Sequence, residues 1–275
     1  MPELIEVEIY RRQAEALVGR TVAAVDTPDE WFLKGAISAD ALRSTLVGSS
    51  VASAHRLGKL LMLELERRSQ TGSTGLGPPV TGRSTLGLRF GMTGRLVVDG
   101  AAEIEELLYS TPRSDPRFVR FRLAFDDGGE LSMVDPRRLG GVELAPDTTR
   151  LGPDAATVTA RQLGEALTRS TVAVKARVLD QSRVAGVGNL IADETFWRAG
   201  VDPTRSCASF DVDQVRALAG RIRSTIKLLT RRGGSHMGDL QDQRHRDGVC
   251  PRDGAILNRG EVGGRTTYWC PVHQQ

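Results

Sequence analysis

The chain has 275 residues, 40% hydrophobic and 26% charged, the balance of a globular protein with a core of its own. Its formal net charge of +3 permits a nucleic-acid partner without requiring one. No apolar run approaches the ~18 residues that cross a bilayer and no basic-then-apolar leader opens the chain, so no membrane association is expected. On the same reading the N-terminus is expected to be the working one.

The first segment reads as a helix, with Leu4, Val7, Ala14, Leu17 and Val18 on one face and Gly19 where a glycine ends a helix. Strand-like stretches follow at 21–25, 60–65, 86–90, 118–125 and 130–134. The last two flank Asp126-Asp127-Gly128-Gly129, a hairpin signal. Ser38 is placed to cap a short helix. Residues 67–85, rich in Ser, Thr, Gly and Pro, read as a mobile loop between two strands.

From about residue 150 the pattern turns helical. Thr159 caps a first helix and 172–180 forms a second. A glycine-broken turn at 185–189 leads into a third, closed by Gly200. Asp211 caps a long fourth with Val215, Leu218, Ile222, Ile226 and Leu229 on one side. The tail, 233–275, has little helical pattern, and no internal repeat is found. The expected order is a mainly β domain, a helical domain and a small Cys/His appendage.

Of 37 Lys+Arg only four are lysine (Lys34, Lys59, Lys175 and Lys227), leaving 37 − 4 = 33 arginines. A GC-rich genome accounts for such a bias, and the guanidinium fork also suits phosphate. Either way a lysine is a rare event in this chain. Three cysteines, Cys207, Cys250 and Cys270, cannot all pair with one another, which favours free thiols or a metal site over a disulfide framework.

Two of them lie in the tail. It reads Cys250-Pro251-Arg252-Asp253, then sixteen residues, then Cys270-Pro271-Val272-His273. Two short knuckles on a hairpin are how a small segment builds a tetrahedral zinc site, and Asp and His are both legitimate ligands beside two thiolates. A structural Zn2+ on Cys250, Asp253, Cys270 and His273 is the expectation. His245 competes with Asp253 for the fourth place, and a metal-free hairpin with an Asp-Gly turn is the plain alternative.

Together with that tail, five further stretches resemble the formamidopyrimidine-DNA glycosylase/endonuclease VIII family of base-excision repair enzymes, in order and over essentially the whole chain. Met1-Pro2-Glu3-Leu4-Ile5-Glu6-Val7-Glu8 is similar to the family's opening, with Ile5 where a second proline is usual. Arg56-Leu57-Gly58-Lys59 resembles its strand-borne lysine motif. Phe90-Gly91-Met92-Thr93-Gly94 and Asp135-Pro136-Arg137-Arg138-Leu139-Gly140 resemble its two DNA-wedge loops. Val174-Lys175 with Val184-Ala185-Gly186-Val187-Gly188-Asn189 resembles the helix–two-turn–helix, and Gly264-Arg265-Thr266-Thr267-Tyr268 the finger's arginine turn. The knuckle spacing matches the family's four-cysteine finger, which is the main reason to set Asp253 and His273 at ligand positions.

The resemblance implies an α+β fold: an N-terminal β-sandwich with an N-terminal helix over 1–148, a helix–two-turn–helix DNA-binding domain over 149–232, and a lesion-loop remnant with a zinc-finger-like hairpin over 233–275. It implies a DNA glycosylase with AP (β,δ-elimination) lyase activity, working as a monomer on damaged double-stranded DNA in the bacterial cytoplasm, associated with the nucleoid. A catalytically idle damage-binding protein of the same fold is the alternative. A helix–two-turn–helix RNA- or ribosome-binding protein is a more distant one.

Each implied site residue has its own chemistry. Once Met1 is removed, Pro2 is a secondary amine able to attack C1′ of a deoxyribose, expel the base and form an iminium. An α-amine with an ordinary pKa near ~8 is in useful part neutral at physiological pH. Retained Met1 makes Pro2 an unreactive amide, and a proline in the first helical turn is its plain structural use. Glu3 can protonate the sugar ring oxygen and relay protons, with Glu6 one turn on, although an acidic first turn also serves the helix dipole.

Lys59, in an otherwise apolar strand, either snorkels or holds a phosphate beside the lesion. Met92, Arg137 and Leu139 are assigned to the gap left by a flipped nucleotide, with Leu139 where the family often has an aromatic residue. Arg89 replaces a residue that is often histidine. Lys175, Asn189 and Arg265 are assigned to phosphates, the Gly186–Asn189 turn offering backbone amides as well. The short 233–249 interval, where members preferring oxidised purines carry a long loop, leaves the lesion open among oxidised purines, oxidised pyrimidines, alkyl adducts and abasic sites.

Overall fold

The computed structural model describes residues 2–68, 80–104, 115–168 and 170–275, which form two compact units. The first comprises Pro2 and the described residues of Glu6–Thr148, the second Glu3–Ile5 and those of Thr149–Gln275.

In the first unit α1 (Leu4–Ala14) runs into a 3-10 turn ending at Leu17, and Gly19 takes a left-handed φ of +91° just beyond. Val18, expected on the buried face, is 49% exposed, because the chain has already left the helix there. α2 (Ala39–Leu46) starts at Ser38, whose hydroxyl accepts from the Ala41 N–H.

Eight strands follow in two antiparallel sheets. One has the order β1 (Val22–Asp26), β6 (Val119–Phe125), β7 (Glu130–Val134), β5 (Arg95–Val98). The other has β2 (Ser49–Leu57), β3 (Leu60–Arg68), β4 (Val80–Arg89), β8 (Gly141–Leu144). Leu61, Leu63 and Leu65 of β3 face inward while Met62, Glu64 and Glu66 are half-buried, the two-residue period of a strand with one covered face. Their partners in one continuous core are Phe121, Leu123, Leu131 and Met133 of the other sheet, with Tyr10 and Leu42 from the two helices. This is a β-sandwich.

Three strands, β2, β5 and β8, lie outside the stretches read as strands. β2 reads SSVASAHRL and carries few large apolar residues, so pairing with β3 rather than its own pattern makes it a strand. Of the expected loop, residues 67–68 belong to β3 and residues 80–85 to β4, and these two strands pair with each other. The rest of that expected loop, 69–79, lies outside the described residues.

The second unit holds α3 (Ala160–Leu167), α4 (Val174–Leu179), α5 (Asn189–Ala199) and α6 (Val212–Arg232), then a hairpin of β9 (Asn258–Val262) and β10 (Arg265–Trp269). Thr159 and Asp211 each form a reciprocal capping box, with Gln162 and Gln214. Gly200 and Gly233 close α5 and α6 in left-handed conformation. Leu218, Ile222, Ile226 and Leu229 of α6 pack on Ile191 and Phe196 of α5 and on Leu4 and Ile5. Ile5 is fully buried in this core, so the side chain standing in place of the usual proline fills space among the helices. A smaller core of Trp197, Leu240, Cys250, Leu257 and Cys270 ties the tail to α5. No helix among the described residues is long and apolar enough to cross a membrane.

Asp211→Ala removes the carboxylate that accepts the Gln214 N–H. It is expected to lower stability by about 1 kcal/mol, read as a shifted midpoint at unchanged slope in urea unfolding.

Candidate active site and nucleic-acid interface

Pro2 lies outside α1, which begins two residues later, so it is not the proline of a first helical turn. Glu3 is fully buried. Its carboxylate accepts from the N–H groups of Gly188 (2.9 Å), Leu190 (2.8 Å) and Ile191 (3.1 Å), and the Leu4 N–H donates to Gly186 O (3.1 Å). The unsatisfied amides and positive dipole end of α5 form an anion site, and Glu3 fills it. A Cβ on Gly188 would overlap the Glu3 carboxyl carbon, which is why a glycine stands there.

Of the amides in the Gly186–Asn189 turn, that of Gly188 is taken by Glu3, and that of Gly186 donates to Gln181 Oε1 at 2.9 Å.

Lys59 is not inside a strand. Leu57 pairs with Leu60, leaving Gly58-Lys59 as a two-residue hairpin turn, and Gly58 has the positive φ (+57°) such a turn demands. Lys59 is half-buried at the tip. Arg56 braces that tip against α1: its Nε donates to Glu8 Oε2 (3.1 Å) and its Nη1 to Gly58 O (3.0 Å). Arg11 and Arg56 outweigh burial and hold the Glu8 carboxyl below its ordinary range.

The two wedge-like loops, Phe90–Gly94 and Asp135–Gly140, are brought together by Asp135, which is fully buried. It accepts from Thr93 Oγ1 (2.5 Å), Arg137 N–H (3.1 Å) and Gly140 N–H (2.8 Å). Gly91 sits at φ +56° with its α-carbon against the backbone of Leu139 and Gly140, an approach no side chain allows. Arg138 takes a left-handed φ of +58° and turns back to grip Asp29 with Nε and Nη2, each at 2.6 Å. Arg137 and Leu139, on either side, remain exposed, Leu139 by 51%, and Met92 is half-buried. Arg89 pairs with Glu143 at 3.4 Å.

Lys175 is fully buried, which corrects its assignment as a surface phosphate ligand. Its ammonium donates to Asn189 Oδ1 (2.7 Å) and Thr267 Oγ1 (2.6 Å) and pairs with Asp193 (2.5 Å). Burial pushes its pKa down while Asp193 opposes that. Asp193 is shared with Arg244 (2.8 Å), and Asn189 donates its amide to Thr266 O (2.9 Å). Lys175 thus positions the α5 turn and the hairpin instead of meeting the ligand. Arg265 lies exposed beside the two-glycine turn of that hairpin, where a Cβ on Gly263 would press into Ala176 of α4.

Cys250, Asp253, Cys270 and His273 offer ligand atoms within 4.8 Å of one another. His273 Nε2 faces Trp197 O at 3.1 Å, leaving Nδ1 toward Cys250 Sγ (3.5 Å) and Asp253 Oδ2 (2.9 Å). The N–H groups of Arg252 and Val272 point at the two sulfurs, each at 3.4 Å, as thiolate ligands require. The Ala255 N–H first of all, with His273, holds Asp253 down to about 2. His245 is not in this cluster; its Nδ1 lies 2.7 Å from Arg246 O.

Thr93 and Thr267 stand within family-like motifs without a role assigned to them, and Asp29 and Asp193 carry no motif of their own. Asp135 has one in Asp-Pro, whose aspartate typically accepts from the amide two residues on.

Family models match residues 1–142 (formamidopyrimidine-DNA glycosylase N-terminal domain) and 149–240 (formamidopyrimidine-DNA glycosylase H2TH domain). The chain belongs to the formamidopyrimidine-DNA glycosylase family. It is 32% identical to the formamidopyrimidine-DNA glycosylase of Paracoccus denitrificans, with all of both chains covered. It is 29% identical to that of Arabidopsis thaliana over all of this chain and 71% of that one. A solved complex of the LlFpg protein with a THF-DNA and an inhibitor superposes over both whole chains with TM-score 0.79 at 25% identity. The Lactococcus lactis Fpg bound to abasic-site DNA shares the fold over both whole chains, with TM-score 0.78 at 23% identity. Within the family, then, this member holds Lys175 as an internal strut.

Lys175→Met leaves Asp193 paired with Arg244 alone and takes the ammonium donor from Asn189 and Thr267, and is expected to cost about 1–3 kcal/mol in denaturant unfolding. The salt slope of DNA binding should stay unchanged; a slope lowered by about one ion at full stability would restore the phosphate-ligand role.

Proposed function

We propose that this protein is a bifunctional base-excision repair enzyme, excising damaged bases from double-stranded DNA and nicking the strand through its N-terminal proline. Family membership together with Pro2 lying free of α1 supports this most strongly. With Met1 removed, the Pro2 nitrogen attacks C1′, the C1′–N bond breaks, and the base leaves with its electron pair and takes up a proton. The Pro2 nitrogen then gives up its proton, its lone pair opens the ring by breaking C1′–O4′, O4′ takes up that proton, and the iminium remains. Loss of a C2′ proton expels the 3′ phosphate, and a second elimination expels the 5′ phosphate.

In this scheme Glu3, adjacent to Pro2 and held in place by three backbone amide donors, relays protons to the sugar ring oxygen. Lys59 and Arg265 meet phosphates, while Met92, Arg137 and Leu139 fill the space of the flipped nucleotide at an unstacking cost of a few kcal/mol. The protein acts as a monomer. An idle damage-binding protein has no use for a free Pro2 amine beside a caged carboxylate, and that reading is not favoured.

Borohydride added to protein and a duplex bearing one abasic site should trap a covalent adduct, lost in Pro2→Gly while abasic-DNA affinity persists. Folded protein, shown to lack Met1, that forms no adduct would return the chain to the damage-binding reading.

Cys250, Asp253, Cys270 and His273 fit a structural zinc ion: two thiols, an oriented imidazole and an ionised carboxylate form a sound tetrahedral donor set. When bound, zinc adds folding energy to the tail. Native mass spectrometry should find one zinc per chain, reduced in Asp253→Ala and full in His245→Ala. A folded apo protein is the contrary result.

A further inference from the structure

Trp31 is 69% exposed, the most open aromatic side chain among the described residues. It stands on a short segment whose other residues are tied down. Asp29 holds Arg138 through two 2.6 Å contacts. Phe32 is fully buried, and a Cβ on Gly140 would lie 3.1 Å from its ring. Leu33 bridges Val142, and the Lys34 N–H donates to Val142 O at 2.7 Å. The stem of Lys34 lies across Gly141, leaving no room for a Cβ there, and its ammonium stands 5.1 Å from the indole centroid, donating to Trp31 O at 2.9 Å. These braces run to residues 138–142, the loop and strand start that present Arg137 and Leu139, and Asp29 also lies 3.6 Å from Arg120.

A single exposed hydrophobic residue needs no explanation in itself. An indole held still on a braced turn, with a lysine at its face and Arg137 exposed on the adjoining loop, is a different arrangement. Aromatic faces stack on any nucleobase, and a neighbouring cation takes the phosphate that comes with it. Glu30 is the exposed carboxylate on the segment, and Asp29 is already neutralised by Arg138.

We propose that Trp31 and Lys34 form an additional DNA subsite beside the wedge loops, the indole stacking on a nucleobase and Lys34 pairing with the adjoining phosphate. It rests on the reading of DNA as substrate.

The two contacts separate by salt. Stacking releases no counterions, whereas a phosphate contact contributes about 0.9 to the slope of log K against log salt. With an abasic-site duplex, Trp31→Ala should bind about tenfold more weakly at unchanged slope, and Trp31→Phe within about twofold of wild type, since phenylalanine also stacks. Lys34→Met should lower the slope by about one ion. Tryptophan emission should be quenched on binding in wild type, with that quench missing in Trp31→Phe. Trp31→Ala that binds like wild type while wild-type protein still forms the borohydride adduct overturns this subsite alone. Wild-type protein that neither binds nor is trapped overturns the catalytic reading and the subsite with it.

Discussion

The carboxylate of Glu3, set into the amino end of α5, fixes where the chain begins. A free N-terminus is ordinarily the least ordered part of a protein. Here the third residue is buried, receives three backbone hydrogen bonds, and is followed by Leu4 and Ile5 in the helical core. Pro2, the proposed nucleophile, is itself buried and inherits that order. The geometry also accounts for the glycine-broken turn at 186–188: its open backbone serves the protein's own carboxylate.

The same economy recurs in the loops assigned to DNA. Exposed side chains such as Arg137, Leu139 and Arg265 are presented by buried polar groups that never reach the surface. Asp135 draws the two wedge loops together in the first unit, and Lys175 joins the α5 turn to the hairpin in the second. Buried charges are tolerable only with full sets of partners, and both have them. Cutting one partner is therefore felt as lost stability first and lost affinity second.

Much of this was legible in the residue order. Caps at Ser38, Thr159 and Asp211, the stop at Gly200, and the inward face of α6 follow from local rules that act within a few residues. The four tail residues share a cluster as their spacing suggests. What was not legible depends on distant partners. β2 is a strand because β3 lies beside it. Lys59 left its strand because Gly58 turns the chain, a signal present in the sequence but outweighed by the leucines around it. Lys175 is assigned to a phosphate by the resemblance because nothing local announces Asp193 or Thr267 as its partners.

The scarcity of lysine now has a chemical consequence. An amine-selective reagent meets few side chains on this protein. Lys175 is sealed from solvent and Lys227 stands on the outer face of α6. Lys34 and Lys59, both half-buried, lie beside the exposed indole and at the β2–β3 tip. Acylation or reductive methylation, followed by peptide mapping, thus becomes a near-site-specific footprint of these surfaces, in a protein whose 33 arginines stay silent to the reagent.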